Sequence, residues 1–242
     1  MKHSRSIFTA AFLSVWTLQA LALQVTSLTP QGETSQVRQA TAKFSDTAIT
    51  FGDPKAPSPY NITCTDAKAG KGTPRWNNDK EWVYQFDNDL PPGVTCTLVP
   101  RADFKSPKGT ALPATTYKFN TGGPFVQRLR PSTYERIDED QYFMAQLSGA
   151  ATAPSFLANT WCAVEGLGEK VPVRFIEGKE RAEYLKSMGL EKSAAADPQR
   201  YVTFACNRRL SPSAKVQVVY GKGVSTPSGI ANSVEKRFNF QV

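Results

Sequence analysis

The stretch Tyr117-Lys-Phe-Asn-Thr-Gly-Gly-Pro-Phe-Val-Gln-Arg-Leu-Arg-Pro131 divides the chain near its middle. Alternation of aromatic and polar residues up to Asn120 indicates a strand that ends, and the run from Phe125 indicates a strand that begins. Between them, Thr121-Gly-Gly-Pro124 interrupts any ladder, because glycine permits positive φ and proline has no N–H to donate. The pattern predicts a short hinge between two domains.

Length and composition are compatible with the same division. The first 22 of the 242 residues form a separate segment, and the remaining ~220 residues suit one large domain or two of about 100 residues each, of which the hinge favours two. Hydrophobic residues make up 40% of the chain, and 17 prolines with 16 glycines imply many turns. We predict an all-β protein with domains at 23–122 and 123–242.

Residues 1–22 have the features of a signal peptide. Lys2 and Arg5 form a basic start, Ile7 to Leu21 an apolar run, and Ala20-Leu-Ala22 a cleavage site, which predicts cleavage after Ala22. The alternative, an uncleaved anchor, is disfavoured because the run is shorter than the ~20 residues that a span needs. We therefore expect an exported protein with no membrane span after cleavage.

The positive charge of the chain is dispersed. Loss of Lys2 and Arg5, with no acidic residue, lowers the formal net charge from +8 to +6. Arg208-Arg209 and Lys236-Arg237 are only pairs, and no longer basic run occurs. This distribution predicts a solvated basic surface and no nucleic-acid partner.

The four cysteines predict two disulfides. An oxidising compartment favours pairing, and four cysteines allow three connectivities. We expect Cys64–Cys96 and Cys162–Cys206, because each bond then stays within one predicted domain. No metal site or cofactor is expected, since no Cys-x-x-Cys pair occurs and His3 leaves with the signal peptide.

The two halves align as a repeat. Val25-Thr-Ser-Leu-Thr-Pro30 matches Val126-Gln-Arg-Leu-Arg-Pro131 at an offset of about 100 residues. Phe44–Ala48 matches Leu147–Ala151 at nearly the same offset. The offset then becomes 120, at which Leu90-Pro-Pro-Gly-Val94 matches Leu210-Ser-Pro-Ser-Ala214, Ser106–Gly109 matches Thr226–Gly229, and Tyr117–Asn120 matches Arg237–Phe240. The second copy therefore carries an insertion of nearly 20 residues. Helix formers near 178–190 predict a short helix there, covering an edge or a loop end.

Each copy contains seven short predicted strands separated by turn signals, which is the pattern of an immunoglobulin-like β-sandwich. The predicted strands are Val25–Leu28, Val37–Phe44, Ala48–Phe51, Tyr60–Cys64, Glu81–Phe86, Val94–Val99 and Thr116–Asn120 in the first copy, and Phe125–Leu129, Tyr142–Leu147, Thr160–Val164, Val171–Phe175, Tyr201–Cys206, Lys215–Tyr220 and Lys236–Val242 in the second.

Two tryptophans of the first copy differ in their expected roles. Trp82 alternates with Tyr84 and Phe86 in a strand, which predicts a core position. Trp76 lies in a segment rich in Gly, Pro and Arg that we expect to be a loop. Together with Arg75, it is the candidate contact for a glycan or protein ligand, although a core role for Trp76 is the stronger interpretation.

Catalysis is not expected. Without a histidine in the mature chain, serine–histidine and cysteine–histidine schemes are excluded, and no phosphate-binding glycine loop occurs. The acidic cluster Asp138-Glu-Asp140, with Glu135 nearby, could bind calcium or serve a hydrolase only if further oxygens converged on it. We interpret it as a solvated group before the strand that begins near Tyr142.

Several phrases of the sequence resemble the N-terminal immunoglobulin-like region of bacterial alpha-2-macroglobulin family proteins. They are Phe44-Ser with Phe51-Gly-Asp-Pro54, Leu90-Pro-Pro-Gly-Val-Thr-Cys96, Phe119-Asn-Thr-Gly-Gly-Pro124 and Thr226-Pro-Ser-Gly229. The resemblance implies a periplasmic protein, with secretion or the cell surface as alternatives. It also implies relatedness to protease traps, with proteases or other envelope proteins as partners through a larger assembly.

The chain departs from that family in one chemical respect. None of its cysteines begins the Cys-x-Glu-Gln motif of the family's thioester, so neither warhead nor bait can be assigned. We expect a non-enzymatic scaffold, a fragment or reduced form of the leading domains. The alternative is an independent adhesin or glycan-binding module that uses Arg75 and Trp76.

Overall fold

The computed structural model describes residues 23–53 and 55–242, so the predicted signal peptide lies outside the described residues. Strands dominate the described ranges, which also contain short helices, so the all-β prediction is confirmed only as a mostly β fold. Two large hydrophobic clusters occupy them. One is built from residues between Leu23 and Phe119, and the other from residues between Val126 and Phe240.

The N-terminal half forms two four-stranded sheets. Its strands are β1 (Val25–Thr29), β2 (Gly32–Glu33), β3 (Gln39–Phe44), β4 (Tyr60–Cys64), β5 (Gly72–Asn78), β6 (Glu81–Phe86), β7 (Thr95–Pro100) and β8 (Tyr117–Asn120). One sheet has the order β1-β3-β6-β5 and the other β2-β8-β7-β4. The short β2 pairs with β8 in parallel, whereas the other pairs are antiparallel.

Alternation within β6 places its apolar residues between these sheets. Trp82 and Phe86 are fully buried, as predicted for a core strand. Phe119 of β8 contacts Phe86 from the opposite sheet, with ring centroids 6.5 Å apart. Burial of such large aromatic rings contributes a substantial part of the hydrophobic stabilisation of a small sandwich.

Two predictions for the N-terminal half were wrong. Residues 48–51, predicted as a strand, form a bend and turn, because Ala48 and Ile49 donate their backbone N–H groups to Asp79 instead of a ladder. Residues 72–78, predicted as a loop, form the edge strand β5. Pro74 does not prevent this, since an edge strand tolerates a residue without an N–H.

The C-terminal half forms one seven-stranded sheet that folds back on itself. Its strands are β9 (Val126–Arg130), β10 (Tyr142–Leu147), β11 (Thr160–Val164), β12 (Lys170–Phe175), β13 (Tyr201–Cys206), β14 (Lys215–Tyr220) and β15 (Lys236–Gln241). The order is β15-β14-β11-β12-β13-β10-β9. The first residues of β12 pair with β11 and the last pair with β13, so this strand joins two packed layers into a nearly closed barrel.

A helix is present where the sequence predicted it, near 178–190, but the insert is longer than expected and covers a different surface. It consists of α2 (Gly178–Ser187) and α3 (Glu191–Ala196), followed by a 3-10 helix (Pro198–Arg200); a further helix, α1 (Ala153–Asn159), precedes β11. Instead of an edge or loop end, α2 and α3 cover the outer face of the sheet, where Met144, Leu185 and Ala194 form a small buried cluster. The Tyr184 hydroxyl fixes this cover by donating to the Tyr142 carbonyl at 2.5 Å.

The helix α1 was missed by the sequence analysis. Its Phe156 is almost fully buried and contacts the rings of Phe175, Phe204 and Tyr220. The local signal was Thr152 followed by Pro154, because a threonine before the first turn and a proline within it are typical of a helix start.

Both predicted disulfides are confirmed. Cys64–Cys96 joins directly opposed residues of β4 and β7, with Cα atoms 4.1 Å apart. Cys162–Cys206 joins β11 to the end of β13 across the C-terminal core, with Cα atoms 5.9 Å apart. Neither bond connects one half of the chain to the other.

Candidate functional site

The predicted ligand contacts Trp76 and Arg75 are neighbours on β5, and alternation along a strand directs them to opposite faces. The Trp76 ring is half-buried against Phe104, with centroids 6.2 Å apart. Its Nε1 atom donates to the carbonyl of Pro57 at 3.2 Å. Arg75 is exposed and donates to Asn77. The structure therefore does not bring the two residues into one site.

The acidic cluster meets a cation rather than further carboxylates. Arg209 donates to Glu139 at 2.6 Å and lies 3.8 Å from Asp140. Within residues 23–53 and 55–242, no group of three or more His, Cys, Asp or Glu side chains is arranged to hold a metal ion. The strand β10 begins at Tyr142, directly after the cluster, as expected.

The junction between the halves is the most organised polar site that we find outside the sheets. The turn between β6 and β7, Pro91-Pro-Gly93, enters a notch formed by Gly149 and the hairpin turn Thr226–Gly229. We call these two features the docking turn and the docking notch. The Ser228 hydroxyl donates to the Gly93 carbonyl at 3.0 Å, so the two halves are joined by a hydrogen bond as well as by packing.

The glycines at this contact are required by space. A Cβ atom at Gly149 would lie 2.6 Å from Cγ of Pro92, and one at Gly93 would lie 2.6 Å from the hydroxyls of Thr226 and Ser228. Gly93 also has φ of +84°, a conformation that glycine adopts without strain. The docking turn and notch are therefore in van der Waals contact without room for added atoms.

Thr121 holds the docking turn in place from the linker side. Its Oγ1 donates to the carbonyl of Pro91 at 2.7 Å and accepts from the backbone N–H of Val94 at 2.9 Å. The next residue, Gly122, accepts a hydrogen bond from the N–H of Gly93 at 2.8 Å. The linker and the docking turn thus form one hydrogen-bonded unit.

The rest of the linker packs on the C-terminal half. A Cβ atom at Gly123 would lie 2.0 Å from the backbone nitrogen of Asn232, so the two backbones are in direct contact. The buried Tyr220 hydroxyl donates to the Pro124 carbonyl at 2.7 Å. On the outer side, Ser233 donates to Glu33 at 2.5 Å. These contacts fix the relative position of the two halves.

Two clefts flank this junction. One, of about 470 Å³, lies beside Glu33, Gly122 and Val234, and the other, of about 300 Å³, lies beside Pro92, Gln127 and Arg200. Arg200 donates to the carbonyl of Leu147 at 3.0 Å and to Gln127 at 2.9 Å, so both of these hydrogen bonds stay within the C-terminal half. The clefts mark where the junction is only partly filled.

Burial changes the acid–base behaviour of two tyrosines that fix the C-terminal half. Desolvation raises the pKa of Tyr184 to about 12, with a smaller opposing effect from a hydrogen bond with Gln141. Desolvation also raises the pKa of Tyr220 well above its ordinary value. Both phenols stay neutral, as their donation to backbone carbonyls requires.

Sequence reasoning named the docking turn and notch only as repeat matches and missed their contact. The phrases Leu90-Pro-Pro-Gly-Val94 and Thr226-Pro-Ser-Gly229 were recognised as turn signatures. Their contact connects residues 135 positions apart, which no local pattern encodes. The signal available was the small residue at Gly149, which replaces Asp46 of the first copy.

Comparison with known proteins gives no family. No protein-family model and no curated protein matches the chain. Solved structures with similarity include an L,D-transpeptidase from Mycobacterium tuberculosis H37Rv (16% identity, TM-score 0.29, 66% of this chain and 61% of that chain). Others are an L,D-transpeptidase from Mycobacterium smegmatis (15%, 0.30, 86% and 78%) and the N-terminal part of the bacterial S-layer protein SbsC (12%, 0.28, 92% and 45%).

The chain thus spans about three fifths of the length of the first of these structures. At such TM-scores the similarity carries no information about activity. Two features of the chain itself bear on its location. Its two disulfides fit an exported protein, and none of the helices in the described ranges is long and apolar enough to cross a membrane.

Proposed function

We propose that this protein is an exported, non-enzymatic scaffold of two immunoglobulin-like domains, residues 23–122 (domain 1) and 123–242 (domain 2), held at a fixed angle. The observation that carries the proposal is the docking turn of domain 1 seated in the docking notch of domain 2, with the Ser228–Gly93 hydrogen bond between them. A protein whose domains bind independently on a flexible tether has no need for such a contact.

Strand order supports the immunoglobulin-like assignment. In domain 1 the sheet orders β1-β3-β6-β5 and β2-β8-β7-β4 match the two sheets of such a sandwich when its first strand contributes one segment to each sheet. The first segment is β1, and the second is β2, which pairs with β8 in parallel. Domain 2 has the same feature in the parallel bridge of Arg136 with Gln241.

The resemblance to the leading domains of bacterial alpha-2-macroglobulin proteins gives the scaffold a context. In this proposal the protein resides in the periplasm and acts within a larger assembly that meets proteases or other envelope proteins. It contributes position rather than chemistry, because it has neither the thioester motif nor a histidine in its mature sequence. Domain 1 and domain 2 form one stiff arm of that assembly.

Two measurements on the mature chain test this function. Solution scattering should fit a single interdomain orientation, and inhibition assays against several unrelated proteases should show no loss of protease activity. Inhibition of two or more unrelated proteases by the isolated chain would overturn the scaffold proposal. A wide range of interdomain angles would remove the observation on which it rests.

The alternative is a glycan- or protein-binding module that uses Arg75 and Trp76 on β5. Exposure of Arg75 favours it, but the N–H of the Trp76 ring already donates to Pro57 and one ring face packs against Phe104. A glycan array on the mature chain decides between the two, with Arg75→Ala as the matched surface variant. Binding that Arg75→Ala abolishes would establish the alternative.

A further inference from the structure

The docking turn of domain 1 has a counterpart in domain 2. Pro91-Pro-Gly93 joins β6 to β7, and Ser211-Pro-Ser213 joins β13 to β14 at an offset of 120 residues. Gly93 has φ of +84° and Ser213 has φ of +63°, so both turns have the same backbone shape at their third residue. A serine rarely adopts positive φ, so its presence at Ser213 indicates that the flanking strands impose this turn conformation.

The two turns differ in what covers them. In domain 1, Gly93 is buried and Pro92 half-buried by the docking notch. In domain 2, all three residues Ser211–Ser213 are exposed. The second turn therefore presents the same shape with no partner in the part of the chain that the structure describes.

The docking notch also has a counterpart, at the other end of domain 1. Ser148 precedes Gly149 and exchanges two hydrogen bonds with Phe125, at 2.9 and 3.0 Å. Ser45 makes the same two bonds with Gln24, at 2.9 and 3.3 Å. Asp46 of domain 1 therefore takes the position that Gly149 has in domain 2.

The hairpin that forms the other side of the docking notch also has a counterpart in domain 1. The hairpin 105–111 contains the bonds Ser106 N–H to Thr110 and Gly109 N–H to Ser106. The hairpin 225–231 repeats both bonds 120 residues later, between Thr226, Ile230 and Gly229. Lys108 of domain 1 consequently corresponds to Ser228.

In domain 1 these two positions are filled by an ion pair. Lys108 Nζ lies 2.5 Å from the carboxylate of Asp46, and the side chains keep 67% and 47% of their accessible surface. The hydrogen bond from Lys108 is the main reason that the pKa of Asp46 lies below its ordinary value, so both groups are charged at neutral pH. A proline could enter here only by displacing both side chains and desolvating two charges.

We propose that the exposed turn Ser211–Ser213 is a docking site for a third β-sandwich domain that presents a glycine and a hydroxyl side chain in a notch like that of Gly149 and Ser228. The Asp46–Lys108 pair is the charged cap that closes the opposite end of the array. The inference rests on the proposed function, since it extends the scaffold by one unit.

A second copy of this chain cannot be the occupant. Its domain 1 end is closed by the Asp46–Lys108 pair, and the notch of its domain 2 already holds its own docking turn. The partner is therefore a different sandwich domain with small residues at its notch. In repeat arrays, terminal units with a polar outer face keep the array soluble, and the Asp46–Lys108 pair gives domain 1 such a face.

The linker shows where such a domain would follow in a fused chain. Thr121 N–H donates to Val94 at 2.9 Å, and Val242 N–H donates to Ala214 at 3.0 Å. Val242 thus has the position of Thr121. A chain in which residues 121–242 are repeated directly after Gln241 places a second copy of the docking notch beside Ser211–Ser213, with the native linker between them.

We test the proposal with this extended chain and with a matched control. In the control, the appended copy alone carries Gly149→Asp and Ser228→Lys, the residues that domain 1 has at these positions. Docking should give a single elongated arrangement of three domains in solution scattering. The control should instead give a range of orientations of the third domain. This readout follows the notch residues alone, because the linker, whose Gly122 carbonyl holds the Gly93 N–H at the native junction, is the same in both chains.

Equal ranges of orientation of the third domain in the extended chain and in its control would overturn the docking site. A measurement that needs no fusion is made on the parent chain, where Gly149→Asp with Ser228→Lys should widen the range of interdomain angles in solution scattering relative to the unsubstituted protein. An unchanged range would show that the notch residues do not hold the two domains together. Protease inhibition by the parent chain would contradict the scaffold function and leave both scattering results intact.

Discussion

Pro92 and Gly149 are in contact across the boundary between two separate hydrophobic cores. The pyrrolidine ring of Pro92 occupies the space that any side chain at position 149 would need. A single missing Cβ atom therefore decides whether the two halves can meet at this angle. The predictions below test this contact and the features that support it.

Substitution of Gly123 should disturb the junction without touching either core. We expect Gly123→Ala to lower the free energy of unfolding by about 1–3 kcal/mol, since its Cβ would lie 2.0 Å from the backbone of Asn232. Chemical denaturation measures the loss and solution scattering the change in interdomain angle. Gly168→Ala is the control for the angle, because its position is open but has φ of +64°, so alanine there strains the backbone and lowers stability without changing the interdomain angle.

The Tyr220 hydroxyl should contribute measurably to stability. Tyr220→Phe leaves the carbonyl of Pro124 buried without its 2.7 Å donor, which should cost about 1–3 kcal/mol of unfolding free energy. Tyr134→Phe is the matched control, because Tyr134 is 80% exposed and a surface change of this kind is expected to cost less than about 0.5 kcal/mol. Equal effects of the two substitutions would contradict the assigned role of Tyr220.

The helical cover should loosen at high pH. Burial raises the pKa of Tyr184 to about 12, so its neutral form is favoured by folding. Its contribution is fully present below the ordinary tyrosine pKa of about 10 and is lost as the pH rises towards 12. Phenolate absorbance of the parent protein and of Tyr184→Phe, compared across this range, isolates the Tyr184 titration. A Tyr184 signal centred near pH 10 would contradict this prediction.

Each disulfide should stabilise its own half of the chain. Replacing Cys162 and Cys206 by serine should lower the unfolding free energy of the C-terminal half by about 3–4 kcal/mol, because the bond closes a loop of 44 residues. The corresponding Cys64 and Cys96 variant is the control and should affect the N-terminal half. Amide exchange in each half, measured before and after reduction, separates the two effects.

Short runs of aromatic and β-branched residues bounded by turn signals were predicted best. Six strands have the predicted bounds, and they are Tyr60–Cys64, Glu81–Phe86, Tyr142–Leu147, Thr160–Val164, Tyr201–Cys206 and Lys215–Tyr220. The edge strand β5 was missed, since its Gly72 and Pro74 are unfavourable in a ladder and only one side of it is paired. Ala48–Phe51 failed for the opposite reason, since its composition suits a strand but no ladder lies beside it.

The repeat located most of the second copy, with an error of one residue in its last strand. Tyr117–Asn120 was matched to Arg237–Phe240, whereas the pairing registers align Phe119 with Phe240. The shift arises in the connection before β15, where one residue is added. The sequence did contain the signal, because an offset of 121 pairs Tyr117 with Phe238 and Phe119 with Phe240, whereas the offset of 120 sets both aromatic residues against polar ones.

The candidate site was less predictable than the fold for a physical reason. Trp76 and Arg75 were selected for their chemistry, but a strand directs neighbouring side chains to opposite faces. The docking turn and notch consist of proline, glycine and serine, which have no distinctive chemistry. Their role follows from where the two sandwiches place them, and that placement depends on contacts between distant parts of the chain.

The course of β12 gives the two halves different cooperativity. In the described residues of the N-terminal half, the two sheets share no backbone ladder and are held together by side-chain packing and by contacts of the connecting segments, such as the Trp76–Pro57 hydrogen bond. In the C-terminal half, β12 hydrogen-bonds to both layers, so neither layer can separate without breaking backbone hydrogen bonds of the other. The C-terminal half should therefore open as one unit, whereas the two sheets of the N-terminal half can open separately, and the exposed turn Ser211–Ser213 belongs to the more cooperative half.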